Sequence, residues 1–253
     1  VVMQEDTDSL EDEGRVRIKD ANVKPGQWVF ARGTEMRAGD VVLPAGTVLN
    51  PAALGVLAGL GEVQAKLFPA PRVFVLPTGN ELVEPGQPLK PGQIRNSNGP
   101  MLAAQVQRAG GIAKHKGIGP DTVDKLLALI GDELDSTDVL LIAGGVSVGK
   151  YDLVPAVLEE LGVVTHFRQV RMKPGKPLLF GTKGDTLVFG LPGNPVSAFV
   201  CFELFVRPAL RKLAGHADPG PRVVNLPLAE AVAETNDRPT YRPAKLEVAE
   251  VGW

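Results

Sequence analysis

The sequence holds a single cysteine, Cys201, so an intrachain disulfide framework is excluded and a reducing, cytoplasmic compartment suits the chain. Aromatic residues make up only 5% of it, and a net charge of −2 leaves no basic excess. Neither a base-stacking platform nor an electrostatic footprint for nucleic acid is therefore expected. No apolar run reaches the roughly 18 residues of a membrane span, and no signal-peptide pattern opens the chain. The first residues, VVMQED, read instead as a strand already under way. The three histidines, His115, His166 and His216, are scattered and read as structural. No Ser–His–Asp set and no zinc-ligand cluster competes for a functional reading.

Glycine and proline are abundant, 29 and 22 residues, and spread without a period, which indicates many tight turns rather than low complexity. With 253 residues, 44% of them hydrophobic, the chain can bury one large core or two to three small ones. Its opening reads as VVMQ and RVRIKDANV strands around an acidic hairpin tip, DTDSLEDEG. Turn signals at Gly39–Asp40 and Pro44–Gly46 then flank VVL. Asn50 and Pro51 have the order of a cap and first-turn residue for a short helix, AALGVLAGL, that ends at Gly61.

From Ala70 onward strands alternate with helices, the pattern of a parallel sheet covered on both faces. RVFVL, a strand near Ile112–His115, VLLIA, HFRQVRM and the paired LLFG and TLVFG are the expected strands. Helices are expected over PMLAAQVQRAG (cap Ser97 or Asn98), TVDKLLALIGDEL (cap Asp121 or Thr122) and LVPAVLEELG. The last helix, VSAFVCFELFVRPALRKLAG, is apolar nearly all round and should be buried, with Pro208 kinking or splitting it. After it, RVVNLPLAEAV and YRPAKLEVAEV read as short alternating strands.

In such sheets ligands sit beyond the carboxyl ends of the strands. Four loops fall there: PTGNEL (77–82), GGVSVGKYD (144–152), KPGKP (173–177) and LPGNP (191–195). In the second, Gly144, Gly145 and Gly149 let the backbone turn or approach a ligand, Ser147 offers a hydroxyl, and Asp152 precedes a helix. Open backbone N–H groups and a helix dipole there would favour an anion. Lys173 and Lys176 flank Pro174–Gly175, a stiff turn that keeps both ammonium groups near one spot. Glu81 and Asp152 are carboxylates suited to a Mg²⁺ that keeps its waters, and Asn194 adds an amide. Taken singly, KPGKP is a surface turn, LPGNP a stiff start to a helix and Glu81 a plain surface acid. Together they describe a cleft for a polyphosphate or another polyanion.

TGNEL, NSN, GGVSVG–x–x–D, KPGKP and LPGNPVSA, in that order and at these intervals, resemble the molybdopterin molybdenumtransferases, relatives of the C-terminal domain of gephyrin. The resemblance covers almost the whole chain. It implies the tail of an elongated β domain at 1–28, a small linking domain at 29–69, an α/β molybdopterin-binding domain at 70–217 and the start of a C-terminal β-barrel at 218–253. The chain is accordingly expected to be incomplete. The implied activity is insertion of molybdate into adenylylated molybdopterin with release of AMP, assisted by Mg²⁺ or Zn²⁺. By position Glu81, Asp121 and Asp152 match family acids credited with metal or substrate contacts, Glu81 and Asp152 being the metal ligands, and Lys173 and Lys176 match the catalytic lysines. Thr78, Gly79, Gly144, Gly145, Ser147, Gly149, Pro174, Gly175, Pro192, Gly193, Asn194 and Pro195 fall in the matching substrate-binding loops. A homodimer and a molybdopterin adenylyltransferase partner are also implied.

Departures from the family pattern are Asn80 for an acid, Ala143 for serine, Lys150 for an acid, Phe30 for arginine and Glu35 for aspartate. Three rival readings stand beside the transferase. One is a molybdopterin adenylyltransferase, against which the flanking β segments and LPGNPVS argue. Another is a non-catalytic binding or scaffold paralogue. A nucleotide-binding regulatory module built on the same α/β domain is a third.

Overall fold

The computed structural model describes residues 1–10, 14–120, 122–146, 153–232 and 236–247. The chain divides into two compact units, Val1–Thr47 and Val48–Trp253.

In the first unit a 3-10 turn, Gln4–Asp6, leads into strand β1, Thr7–Leu10, which pairs antiparallel with β2, Arg15–Ile18. The expected strand at VVMQ is thus displaced into the acidic run. Cross-strand charge explains the shift: Asp8 lies opposite Arg17, and Lys19 Nζ reaches Asp8 Oδ1 at 3.2 Å. The remainder, including VVL, is a succession of turns such as those closed by the Thr34 and Thr47 hydroxyls on Ala31 and Pro44 carbonyls.

In the second unit helix α1, Pro51–Gly59, starts where the sequence places it, with Asn50 Oδ1 accepting the Ala53 N–H at 2.9 Å. Strand β3, Arg72–Pro77, follows, then the short parallel pair β4, Leu82–Val83, and β5, Ile94–Arg95. Next come α2, Asn98–Arg108; β6, Ile112–His115; α3, Val123–Leu134; β7, Val139–Ala143; and α4, Val154–Glu160. β8, Val164–Gln169, β9, Pro177–Lys183, and β10, Thr186–Leu191, complete the main sheet. Its order is β6-β3-β7-β10-β9-β8; the first four strands run parallel and the last two pairings are antiparallel.

Strand alternation splits the core between the two faces. Val73, Val75, Val139 and Leu141 face α2 and the C-terminal helices, while Phe74, Leu76, Leu140 and Ile142 face α3 and α4. These strand residues are fully buried, as continuous apolar strands of a covered parallel sheet require.

The final helix runs as α5, Pro195–Cys201, a π turn, Phe202–Val206, and α6, Arg207–Leu213. Pro208 sits in the first turn of α6, after a π turn closed by Arg207 N–H on Phe202 O. The ladder thereby absorbs the missing donor with a local widening. Burial is one-sided, contrary to expectation: Cys201, Phe202, Val206 and Leu210 are enclosed, while Val196 and Phe199 remain exposed. The described residues of 218–247 hold no strand; an isolated parallel bridge joins Thr240 to Lys173. Alternation alone forms no ladder without a partner, and Val223, Val224, Leu226 and Leu228 stay exposed.

Candidate functional site

The site follows from strand direction. β3, β7 and β10 are parallel neighbours, so the loops after them leave from one edge of the sheet. The hairpin linking β8 to β9 turns at that same edge, because β9 runs antiparallel to β10. β3 leads through α2 to β6 on one side, and the chain then crosses to β7 on the other, which leaves a crevice between β3 and β7. The ladder extends one residue beyond the strands: Thr78 N–H donates to Ala143 O at 2.9 Å and Gly144 N–H to Leu191 O at 3.1 Å. The Gly144 N–H, expected to face a ligand, is therefore committed to the sheet. The helix beyond, α4, is only seven residues long, so its dipole adds little.

A cavity of ≈ 330 Å³ opens in this crevice. Thr78, Gly79, Asn80 and Glu81 line it from the first loop, Gly144, Gly145 and Val146 from the second, and Pro177, Pro192 and Gly193 from the others. The walls approach closely because they lack side chains. A Cβ on Gly144, whose φ is +95°, would fall 2.4 Å from Thr78 O, whereas one on Gly193 would make only an ordinary contact, 3.7 Å from Gly144 Cα. Glu81 folds its carboxylate back over Gly79, 2.6 Å from where a Cβ would stand. Thr78 is 7% exposed, and its Oγ1 is buried without a hydrogen-bond partner. A buried hydroxyl without a hydrogen-bond partner is costly to the fold.

The lysine loop adjoins the cavity without lining it; only Pro177, at its end, does. Gly175 is buried against Cys201, whose Sγ donates to Gly175 O at 3.6 Å. Burial raises the Cys201 thiol to about 12, so it packs as a small apolar group rather than a nucleophile. Lys176 is exposed and Lys173 half-buried, and the Lys173–Pro174 peptide is cis.

Asn194 is occupied locally, its Oδ1 accepting the Ser197 N–H at 3.1 Å as the cap of α5. Pro195 faces a separate apolar groove. Asp121, Ser147, Gly149, Lys150 and Asp152 lie outside the described residues.

Two features were not legible from the sequence. The N-cap of α2 is Ser97, one of the two expected residues, but its side chain makes no capping bond; Asn96 Oδ1 instead accepts the Gly99 N–H at 2.9 Å. Asn98 instead donates Nδ2–H to Gly193 O at 2.8 Å, tying the NSN stretch to a cavity wall ninety-five residues away. The spacing of two asparagines ahead of Pro100 is a local signal for the cap; nothing local announces the long-range bond. The second feature is the segment around Arg238, which lies along the lysine loop.

No group of three or more His, Cys, Asp or Glu able to hold a metal ion occurs among the described residues. The cavity itself offers hard oxygen donors in the Glu81 carboxylate, and no thiol or imidazole among its described lining residues. That set fits an ion that keeps most of its waters, such as Mg²⁺, better than Zn²⁺. No helix of the described residues is long and apolar enough to cross a membrane.

Residues 74–212 match the family model described as a probable molybdopterin binding domain, and residues 1–61 match the MoeA N-terminal region (domain I and II). A molybdopterin molybdenumtransferase of Staphylococcus aureus (strain Mu50 / ATCC 700699) is 34% identical over 258 residues, covering 100% of this chain and 59% of the relative. One from Nostoc sp. (strain PCC 7120 / SAG 25.82 / UTEX 2576) is 42% identical over 220 residues, covering 86% of this chain and 50% of the relative. Among solved structures, a molybdopterin biosynthesis moea protein from Pyrococcus horikosii superposes with a TM-score of 0.68 at 34% identity, covering 85% of this chain and 53% of that one. The chain thus spans between half and three fifths of the length of these relatives.

Proposed function

The chain belongs to the family of the probable molybdopterin binding domain, joined to a MoeA-type N-terminal region, and on that premise we propose that it acts in molybdenum cofactor biosynthesis as a molybdopterin molybdenumtransferase. In this reading adenylylated molybdopterin occupies the crevice between β3 and β7, molybdate is inserted, and AMP departs. The observation that carries it is the cavity itself: walled by glycines at the crevice between β3 and β7, lined also by Thr78 and Glu81, and adjoined by the lysine loop.

Thr78 Oγ1 would donate to a phosphate or pterin oxygen once the ligand's entry uncovers it, and Gly145 and Gly193 would present backbone rather than side chain to the ligand. Lys173 and Lys176 would hold charge on molybdate or on the departing AMP, which is stabilisation concentrated where negative charge develops. Glu81, with Asp152 assigned by position, would hold a hydrated Mg²⁺, whose chemistry is to neutralise the phosphoanhydride oxygens, and Asp121, also assigned by position, would act on the substrate. The 1–28, 29–69, 70–217 and 218–253 boundaries, a homodimer, a molybdopterin adenylyltransferase partner and a cytoplasmic location belong to the same proposal.

The test is to supply adenylylated molybdopterin and molybdate to the full-length protein and to measure AMP release. AMP appearing only when molybdate is present supports the transferase. Tight pterin binding with no AMP would favour the scaffold reading, which the replacements at Phe30 and Asn80 keep open. Lys176→Gln is expected to weaken pterin binding by about 1–2 kcal/mol, with the loss shrinking at high salt. Unchanged affinity at low ionic strength would return KPGKP to an ordinary surface turn.

A further inference from the structure

The lysine loop is held on three sides. Its base is closed by Val170 N–H on Lys176 O at 3.0 Å. Its underside rests on α5, where a Cβ on Gly175 would fall 2.5 Å from Cys201 Sγ. Its remaining edge is paired with residues more than sixty positions further along. Lys173 N–H donates to Pro239 O at 3.0 Å, and Tyr241 N–H donates to Lys173 O at 2.8 Å. Two guanidinium groups cross the same seam in opposite directions: Arg171 Nη2 donates to Asp237 O at 2.6 Å, and Arg238 Nη1 to Met172 O at 3.4 Å. Beyond the seam, Tyr241 and Pro243 line an apolar groove with Met101, Val196, Phe199 and Leu204.

We propose that residues 237–243 form a positioning strap for the lysine loop, fixing Lys173 through both of its backbone groups so that its ammonium is pre-aimed for an anion. The inference rests on the reading of that loop as an anion binder. Its physical basis is ordering entropy. An unpaired loop residue loses backbone freedom when it grips a ligand, and that loss is subtracted from affinity. A residue whose N–H and C=O are both bonded in a strand-like bridge has already lost it, and its side chain projects out of the pairing plane in one direction. The strap also explains why this stretch is bound to the second unit while Val223–Leu228 lies exposed: it has a partner edge, and they have none.

Tyr241→Pro removes the N–H that bonds Lys173 O, whereas Tyr241→Ala keeps it. Molybdopterin affinity is measured at low and high salt for both variants in the whole chain, beside Lys176→Gln, together with amide exchange at Lys173. Tyr241→Pro is expected to weaken binding roughly threefold to tenfold, the range of one hydrogen bond's net contribution. Exchange at the Lys173 N–H should quicken as well, while Tyr241→Ala stays within about twofold of the parent. Arg171→Met, which removes one crossing bond and leaves the strap backbone intact, should weaken binding in the same direction, and it decides the matter if Tyr241→Pro does not fold. Parental affinity in both Tyr241→Pro and Arg171→Met, beside a weakened Lys176→Gln, overturns the strap. If Lys176→Gln binds normally, it is the anion reading that fails. Lys173 exchange then judges the strap alone, and exchange unaltered in Tyr241→Pro and Arg171→Met overturns it.

Discussion

At the scale of single residues, the site depends on one missing side chain and one unpaired hydroxyl. Gly144 has a φ of +95° and no space for a Cβ, because Thr78 O would lie 2.4 Å away. Gly144→Ala must therefore strain the backbone and separate β3 from β7 at their carboxyl ends. We expect it to cost more than about 1 kcal/mol in a urea unfolding experiment. A variant as stable as the parent would mean that the two loops can part without penalty. Thr78 gives the opposite case. Its backbone N–H serves the sheet, but its hydroxyl serves nothing within the described fold. Thr78→Val keeps the shape and deletes the orphan, so stability should hold or rise by about 1 kcal/mol while pterin affinity drops. If stability falls and binding does not, the hydroxyl has a structural partner and no ligand.

At the scale of elements, the edge strand β6 is locked to α3 by one buried acid. Glu133 is 2% exposed and accepts from Lys114 Nζ at 2.7 and 2.9 Å, with Lys116 beside it. Burial alone would raise its pKa; the hydrogen bonds and charges of the two lysines outweigh burial and hold it below the ordinary 4.5. The Asp138 carboxyl is lowered too, chiefly by its side-chain hydrogen bonds from Arg72. A carboxyl with a lowered native pKa stabilises the fold above its unfolded pKa, and that stabilisation is lost as pH falls through the native value. Melting temperature should accordingly decline once pH passes below about 4.5. Glu133→Gln should be less stable at neutral pH by about 1–3 kcal/mol and should show a shallower acid decline. Parallel melting curves for parent and variant across that range would count against the lock.

At the scale of the whole molecule, the two units differ in what they bury. Every buried apolar side chain among the described residues belongs to the second unit, from Ala53 onward. The hairpin of β1 and β2 has its described side chains exposed or half-buried, so its backbone bonds are protected by little besides themselves. Amide exchange should be fast there and slowest in β3 and β7, whose side chains are enclosed on both faces. Equal protection in hairpin and sheet would show that the first unit is stabilised by something other than its own core.

The sequence by itself determined the parallel sheet, the position of nearly every helix in the second unit and which loops meet at one edge. Those properties are written locally, in apolar runs such as VLLIA, in the Asn50–Pro51 cap and in glycines that turn the chain at positive φ. The family membership was legible for the same reason, since its motifs are short and contiguous. Other features depended on partners far away in the chain. The Gly144 N–H is taken by Leu191, Asn98 turns from its own helix to Gly193, and Pro239 and Tyr241 clasp Lys173. The half-exposed face of α5 and the failure of the last alternating segments to form strands have the same origin. Whether a polar or apolar group is satisfied depends on what stands opposite it, and in these cases the tertiary fold alone chose the neighbour.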